Sequence, residues 1–79
     1  MNRCVEVFGK GIFMWGVLKP DGTLVLQNAS GRCFRGTVNQ NRNVALKGRN
    51  GERASGTLNL HGMLILRDDE GNALWGTAT

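Results

Sequence analysis

The sequence predicts an all-β domain, an up-and-down antiparallel meander of about eight short strands built from a 20-residue hairpin repeat. Two series of glycines recur every 20 residues and frame the same segment: Gly11, Gly31, Gly51, Gly71 and Gly16, Gly36, Gly56, Gly76. Turn signals recur about every ten residues, and the apolar residues between them alternate with period 2, the pattern of strands. Helices are disfavoured, since each interior glycine costs a helix about 1 kcal/mol.

The turn signals divide the chain into strands of similar length. Lys10-Gly11, Asp21-Gly22, Asn50-Gly51 and Glu70-Gly71 are among them, and glycine supplies the positive φ that tight hairpins require. The predicted strands cover residues 2–9, 12–19, 23–28, 32–39, 43–48, 52–60, 63–68 and 72–78. With 79 residues, the chain forms a single domain, 1–79.

Stacking the repeat units separates two faces of the sheet. The even positions carry apolar side chains in every unit, so they are predicted to face inward throughout the chain. The predicted core is Met14, Phe34, Ala54, Leu74, Leu18, Val38, Leu58, Ala78, Leu24, Val44, Leu64, Leu26, Leu46 and Leu66. An open sheet would leave one face and two edges wet, so the meander is expected to close as a small barrel, sandwich or prism, or to pair with another chain.

The odd positions form a mixed face that carries the functional signal. Its candidate binding residues are basic or aromatic: Arg35, Lys47, Arg53, Arg67, Trp15 and Trp75. Arginine beside tryptophan is favoured at protein interfaces, and the same pair can hold phosphates and stack on planar groups. The leading prediction is a small non-enzymatic module that docks an acidic protein surface through this basic, Trp-flanked face. A nucleic-acid-binding module is one alternative. A second alternative has no binding role: the charges only keep the sheet soluble and protect its edges, and the two tryptophans close a second core.

No enzymatic constellation is found. His61 is the only histidine and falls in a turn, the two serines lack a nucleophile elbow, and no phosphate-binding glycine loop is present. Cys4 and Cys33 with His61 provide too few ligands for a structural zinc site, so neither a metal nor another cofactor is expected. Two cysteines and no apolar signal segment indicate reduced thiols in an intracellular protein, with a single disulfide as the alternative. No apolar run is long enough for a membrane span.

Three families of hairpin repeat resemble parts of the chain. GRCFRGTV (31–38) is similar to the core of a MORN repeat, with Phe34 at its aromatic position and Val38 in place of its second aromatic. The paired-glycine layout around Leu64-Ile65-Leu66 is similar to choline-binding repeats, without their tyrosines.

Residues 20–37 and 59–79 resemble the repeats of monocot mannose-binding lectins of the β-prism type. This resemblance implies a degenerate carbohydrate-binding module as a further alternative. Of that family's sugar motif, the first copy keeps only Asp21 and Val25, the next only Asn43, and the last none.

Overall fold

The computed structural model describes residues 1–79 as eight strands without a helix. The strands are β1 (Arg3–Gly9), β2 (Ile12–Leu18), β3 (Thr23–Gln27), β4 (Cys33–Val38), β5 (Asn43–Gly48), β6 (Arg53–Leu58), β7 (Met63–Asp68) and β8 (Ala73–Ala78). The all-β class and the antiparallel meander predicted from the sequence are confirmed. None of the elements is a helix long and apolar enough to cross a membrane.

The meander closes into a small barrel. Each strand pairs with its neighbours in chain order, and β1 returns to pair with β8, where Val5 faces Ala78 and Val7 faces Gly76. Of the closures that the sequence left open, the barrel is therefore the one that forms. Closure gives every strand two hydrogen-bonded neighbours and removes the two edges of an open sheet.

Six of the seven turns share one design. Each is a three-residue loop in which the last residue has a positive φ, the geometry of a type I turn followed by a bulge. Glycine fills this last position in five turns, and Arg42, with φ 66°, fills it in the sixth. The turn between β1 and β2 is shorter, with Lys10 and Gly11 both at positive φ between the paired residues Gly9 and Ile12.

The shorter first turn changes which side chains of β1 point inward. In β1, the odd residues Val5 and Val7 are buried and the even residues Cys4 and Phe8 are exposed. The prediction that even positions face inward throughout is therefore wrong for this strand and correct for the other seven. A turn that lacks one residue shifts the register by one, and such a shift moves every side chain of a strand to the other face.

The core contains every predicted residue except Val38, which is half-buried and packs against it, and gains Val5 and Val7. Its centre alternates small and large residues: Gly36 of β4 lies between Leu24 and Leu46 of the neighbouring strands. Gly16, Gly56 and Gly76 each lie in the same way between a valine and a leucine of the neighbouring strands. Glycine on alternate strands lets the leucines and valines of the others fill the middle of a narrow barrel.

Several strands are slightly shorter than predicted at the ends where they meet turns. Asn39 and Asn59, predicted to be strand residues, instead accept hydrogen bonds through their side-chain oxygens from the amides of the turns that follow, at 2.9 to 3.0 Å. A side-chain oxygen that binds nearby backbone amides offers the chain an alternative to the strand ladder. These residues therefore belong to the turns.

Candidate functional site

Three of the predicted binding residues form one row across the outside of the barrel. Arg35 on β4 lies directly opposite Lys47 on β5, and Lys47 lies directly opposite Arg53 on β6. All three side chains are exposed and line a shallow groove of about 280 Å³. We call these three residues the cation row. Strand registry brings them together, because residues that face each other across a ladder present their side chains on the same side.

No residue of the cation row forms a salt bridge within the protein. The only salt bridge of the protein joins Arg32 and Glu52, at 3.1 Å, beyond the row. Asp69 contacts Arg53, but its carboxylate accepts a hydrogen bond from the backbone amide of Arg53, at 3.0 Å, and not from the guanidinium. Like charges placed directly opposite on adjacent strands destabilise a sheet. The row is thus an arrangement that the fold itself does not need.

Arg67 lies beside the row but does not extend it. It is on β7, opposite Ser55 and Ala73, and its guanidinium donates to the carbonyl of Gly71 at 3.1 Å. Its charge is exposed on the wall next to β6. Arg67 therefore adds to the positive potential of this side of the barrel without sharing the groove.

The two predicted tryptophans belong to a different wall. Trp15 on β2 and Trp75 on β8 lie on either side of β1, which is opposite β5 in the ring of eight strands. Each is two strands away from the nearest strand of the cation row. The closed barrel therefore brings the three row cations together but separates them from the tryptophans.

The tryptophans lie beside two phenylalanines that were not among the binding residues predicted from the sequence. The ring of Phe13 stacks between Phe8 and Trp15, with centroid distances of 4.9 and 5.6 Å, and Phe8 faces Trp75 across the strands. We call these four residues the aromatic patch; Phe8 and Trp75 are each more than half exposed, at 54% and 55%. The place of Phe8 depends on the register of the short first turn, a signal that the 20-residue repeat does not contain.

Three carboxylates hold turns. The backbone amide of Thr23 lowers the pKa of Asp21, and the amide of Asn50, with Arg32 as a smaller contribution, lowers the pKa of Glu52. Partial burial alone would raise the pKa of Asp68, but hydrogen bonds from Asn72 and Glu70 outweigh it, so that pKa is lowered too. Each carboxylate is thus held in its charged form as a hydrogen-bond acceptor for nearby amides.

The thiols lie apart. Cys4 is exposed on β1 and Cys33 is half-buried on β4, and both are free. No three histidine, cysteine, aspartate or glutamate side chains come together in a metal-binding group.

In comparisons with known proteins, no family model, no curated protein and no solved structure matches the chain. The repeated antiparallel hairpin expected from the three resemblances is present in the fold, whereas membership of any one of those repeat families remains a hypothesis.

Proposed function

We propose that the protein is a non-enzymatic binding module whose cation row docks an acidic surface of a partner protein. The proposal rests on one observation, namely that Arg35, Lys47 and Arg53 face one another across adjacent strands, are exposed and form no salt bridge within the protein. Each like-charge pair across strands works against folding by up to about 1 kcal/mol. A carboxylate-bearing partner would relieve this repulsion, so its binding is favoured by the strain of the free protein as well as by new ion pairs.

The compactness of the row favours a protein partner over a nucleic acid. The row spans two interstrand spacings, about 10 Å in all, which suits a cluster of two or three carboxylates. Binding to single strands usually combines cations with aromatic side chains on which bases stack. Here Trp15 and Trp75 are on the far side of the barrel, so bases held at the row would have no aromatic surface beneath them.

Direct binding measurements test the proposal. A fluorescent peptide rich in glutamate, and single- and double-stranded oligonucleotides of the same net charge, serve as probes in anisotropy titrations at low ionic strength. We expect the peptide to bind more tightly than either nucleic acid. The triple variant Arg35→Ala, Lys47→Ala, Arg53→Ala should lose this binding while its circular dichroism stays unchanged.

A charge-matched control separates the row from net charge alone. The control variant Lys10→Asn, Lys19→Ala, Arg49→Ala removes three positive charges elsewhere and should keep most of the peptide affinity. Equal losses in both triple variants would show that binding follows net charge and not the row. Tighter binding of an oligonucleotide than of the peptide would instead favour the nucleic-acid alternative.

The single variant Lys47→Glu should separate stability from binding. It replaces two repulsive cross-strand pairs with two attractive ones, so we expect the free energy of unfolding to rise by about 0.5–1 kcal/mol. The same change should abolish peptide binding. Urea denaturation and the anisotropy titration measure the two effects, and a lower stability would contradict the repulsion on which the proposal depends.

A further inference from the structure

A cavity opens at the end of the barrel where the chain termini lie. The turns that follow β2, β4 and β6 surround it, and its volume is about 350 Å³. Leu18, Val38 and Leu58, the last inward-facing residues of those three strands, contribute apolar walls. The exposed side chains of Met1 and Leu60 add apolar surface at the rim. A cavity of this size falls in the range that holds small organic molecules.

Three cationic residues converge on this cavity. Arg3, Lys19 and Arg42 all line it, and none of them forms a salt bridge. Arg3 donates to the carbonyl of Ala78 at 3.0 Å, which holds its guanidinium at this end of the barrel. The only acidic side chain in the surrounding turns is that of Asp21, and its carboxylate accepts the backbone amide of Thr23 at 2.9 Å. The cavity therefore combines apolar walls with a positive rim.

Arg42 departs from the repeat at a cost in backbone strain. The equivalent turns place Gly22 and Gly62 at this position, where φ is positive, and Arg42 adopts the same geometry with φ 66°. A residue with a side chain pays about 1–2 kcal/mol for this conformation. Residues strained in this way cluster at functional sites. Of the two such residues in the chain, Arg42 lines the cavity and Lys10 does not.

Lys19 departs from the repeat in a second way. The equivalent turn positions hold Asn39 and Asn59, whose side-chain oxygens accept two backbone amides each. Lysine has no acceptor, and Asp21 takes over part of that task through its bond to Thr23. Two of the three cations thus stand where the fold alone favours asparagine or glycine.

We propose that this end cavity binds a small organic anion, a molecule with an apolar body and one carboxylate or phosphate head group. The apolar body would lie against Leu18, Val38 and Leu58, and the head group would meet Arg3, Lys19 and Arg42. Guanidinium groups pair with carboxylate and phosphate through two parallel hydrogen bonds, which suits either head group. This site is separate from the cation row, so it extends the proposed function and does not depend on it.

Nuclear magnetic resonance titrations test the site with defined probes. Phenyl phosphate and benzoate carry the two head groups, benzyl alcohol lacks a charge, and inorganic phosphate lacks an apolar body. We expect one or both of the aromatic anions to shift the methyl resonances of Leu18, Val38 and Leu58, and the two incomplete probes to bind at least about tenfold more weakly. The head group that binds more tightly identifies the class of ligand.

The variant Arg42→Gly provides the decisive comparison, because it restores the repeat pattern and should fold at least as well as the natural chain. It should raise the dissociation constant of the anionic probe about tenfold, as should Lys19→Asn. The control Lys10→Asn, at the opposite end of the barrel, removes one charge and should leave the affinity unchanged. Absence of shifts with both anions, or equal affinity in Arg42→Gly and the natural chain, would overturn the proposal.

Discussion

The glycines at the centre of the barrel are dictated by space. A methyl group built on Gly36 would overlap the carbonyl oxygen of Ala45 and lie 2.8 Å from the Cα of Leu46, both backbone atoms of the neighbouring strand. Gly16, Gly56 and Gly76 meet equivalent backbone atoms of their neighbours. Backbone atoms cannot move aside as a flexible side chain can. The adjacent strands therefore lie at this separation only because these four positions have no side chain.

Replacement of a central glycine by alanine should therefore be far more damaging than replacement of a turn glycine. We expect Gly36→Ala to lower the free energy of unfolding by about 3 kcal/mol or more, since overpacking of a tight core typically costs about 1–3 kcal/mol and here the obstacle is backbone. Gly31→Ala meets nothing within 4 Å and suffers only from its φ of 89°, a penalty of about 1–2 kcal/mol. Urea unfolding of both variants measures the difference, and equal losses would mean that the strands separate more easily than this packing implies.

At the scale of single elements, the turns share a side-chain acceptor as well as a glycine. The side-chain oxygens of Asn28, Asn39, Asn59 and Asp68 accept amides two and four residues further along the chain. Gly48 has no side chain to offer, and in its turn Glu52 accepts the amide of Asn50 at 2.9 Å. The short polar residue before each of these four turns is thus explained by its hydrogen bonds.

Three carboxylates that accept hydrogen bonds from turn amides make the free energy of unfolding depend on pH under acidic conditions. The pKa values of Asp21, Glu52 and Asp68 are lowered on folding, so the unfolded chain binds protons more readily, and the stability from these groups is complete above their ordinary values of 3.8 and 4.5. It should be lost progressively as the pH falls below those values. Asp68→Asn keeps an oxygen acceptor, as Asn28 does in the equivalent turn, without a titrating group. Urea midpoints at pH 7 and pH 3 should therefore differ less in this variant than in the natural chain; an equal difference would show that the acid sensitivity arises elsewhere.

At the scale of the whole molecule, the 20-residue periodicity predicted the structural features that recur in every repeat and missed those that belong to one segment only. The 20-residue columns identified seven strands with the correct face inward, and they placed Arg35, Lys47 and Arg53 on the outside, where the register then paired them. The columns failed for Val5 and Val7, because the turn at Lys10-Gly11 is one residue shorter than the others.

The sequence predicted that the meander closes, but not which closure forms or how the closed sheet curves. Pairing between β1 and β8 joins segments from the two ends of the chain, so no local pattern specifies it. The same curvature turns Trp15 and Trp75 away from the cation row, although all share the odd columns. The end cavity was missed for a related reason: Arg3, Lys19 and Arg42 come together only when separate turns and the first strand meet at one end of the barrel.

A closed barrel and an open meander differ in how well the amides of the first and last strands are protected from hydrogen exchange. In a closed barrel, the backbone hydrogen bonds between β1 and β8 lie within the sheet, as those between β4 and β5 do. The amide of Thr79 adds a further bond to the carbonyl of Cys4, at 2.8 Å. A hydrogen-bonded amide exchanges its hydrogen only when the bond opens through local or global unfolding. We expect the amides that join β1 to β8 to show protection within about tenfold of those that join β4 to β5, which corresponds to about 1.4 kcal/mol. If instead the amides of β1 and β8 exchanged as fast as those of the turns while the amides of β4 and β5 stayed protected, the barrel would be open in solution. The cation row and the two tryptophans would then no longer lie on opposite sides of a closed barrel.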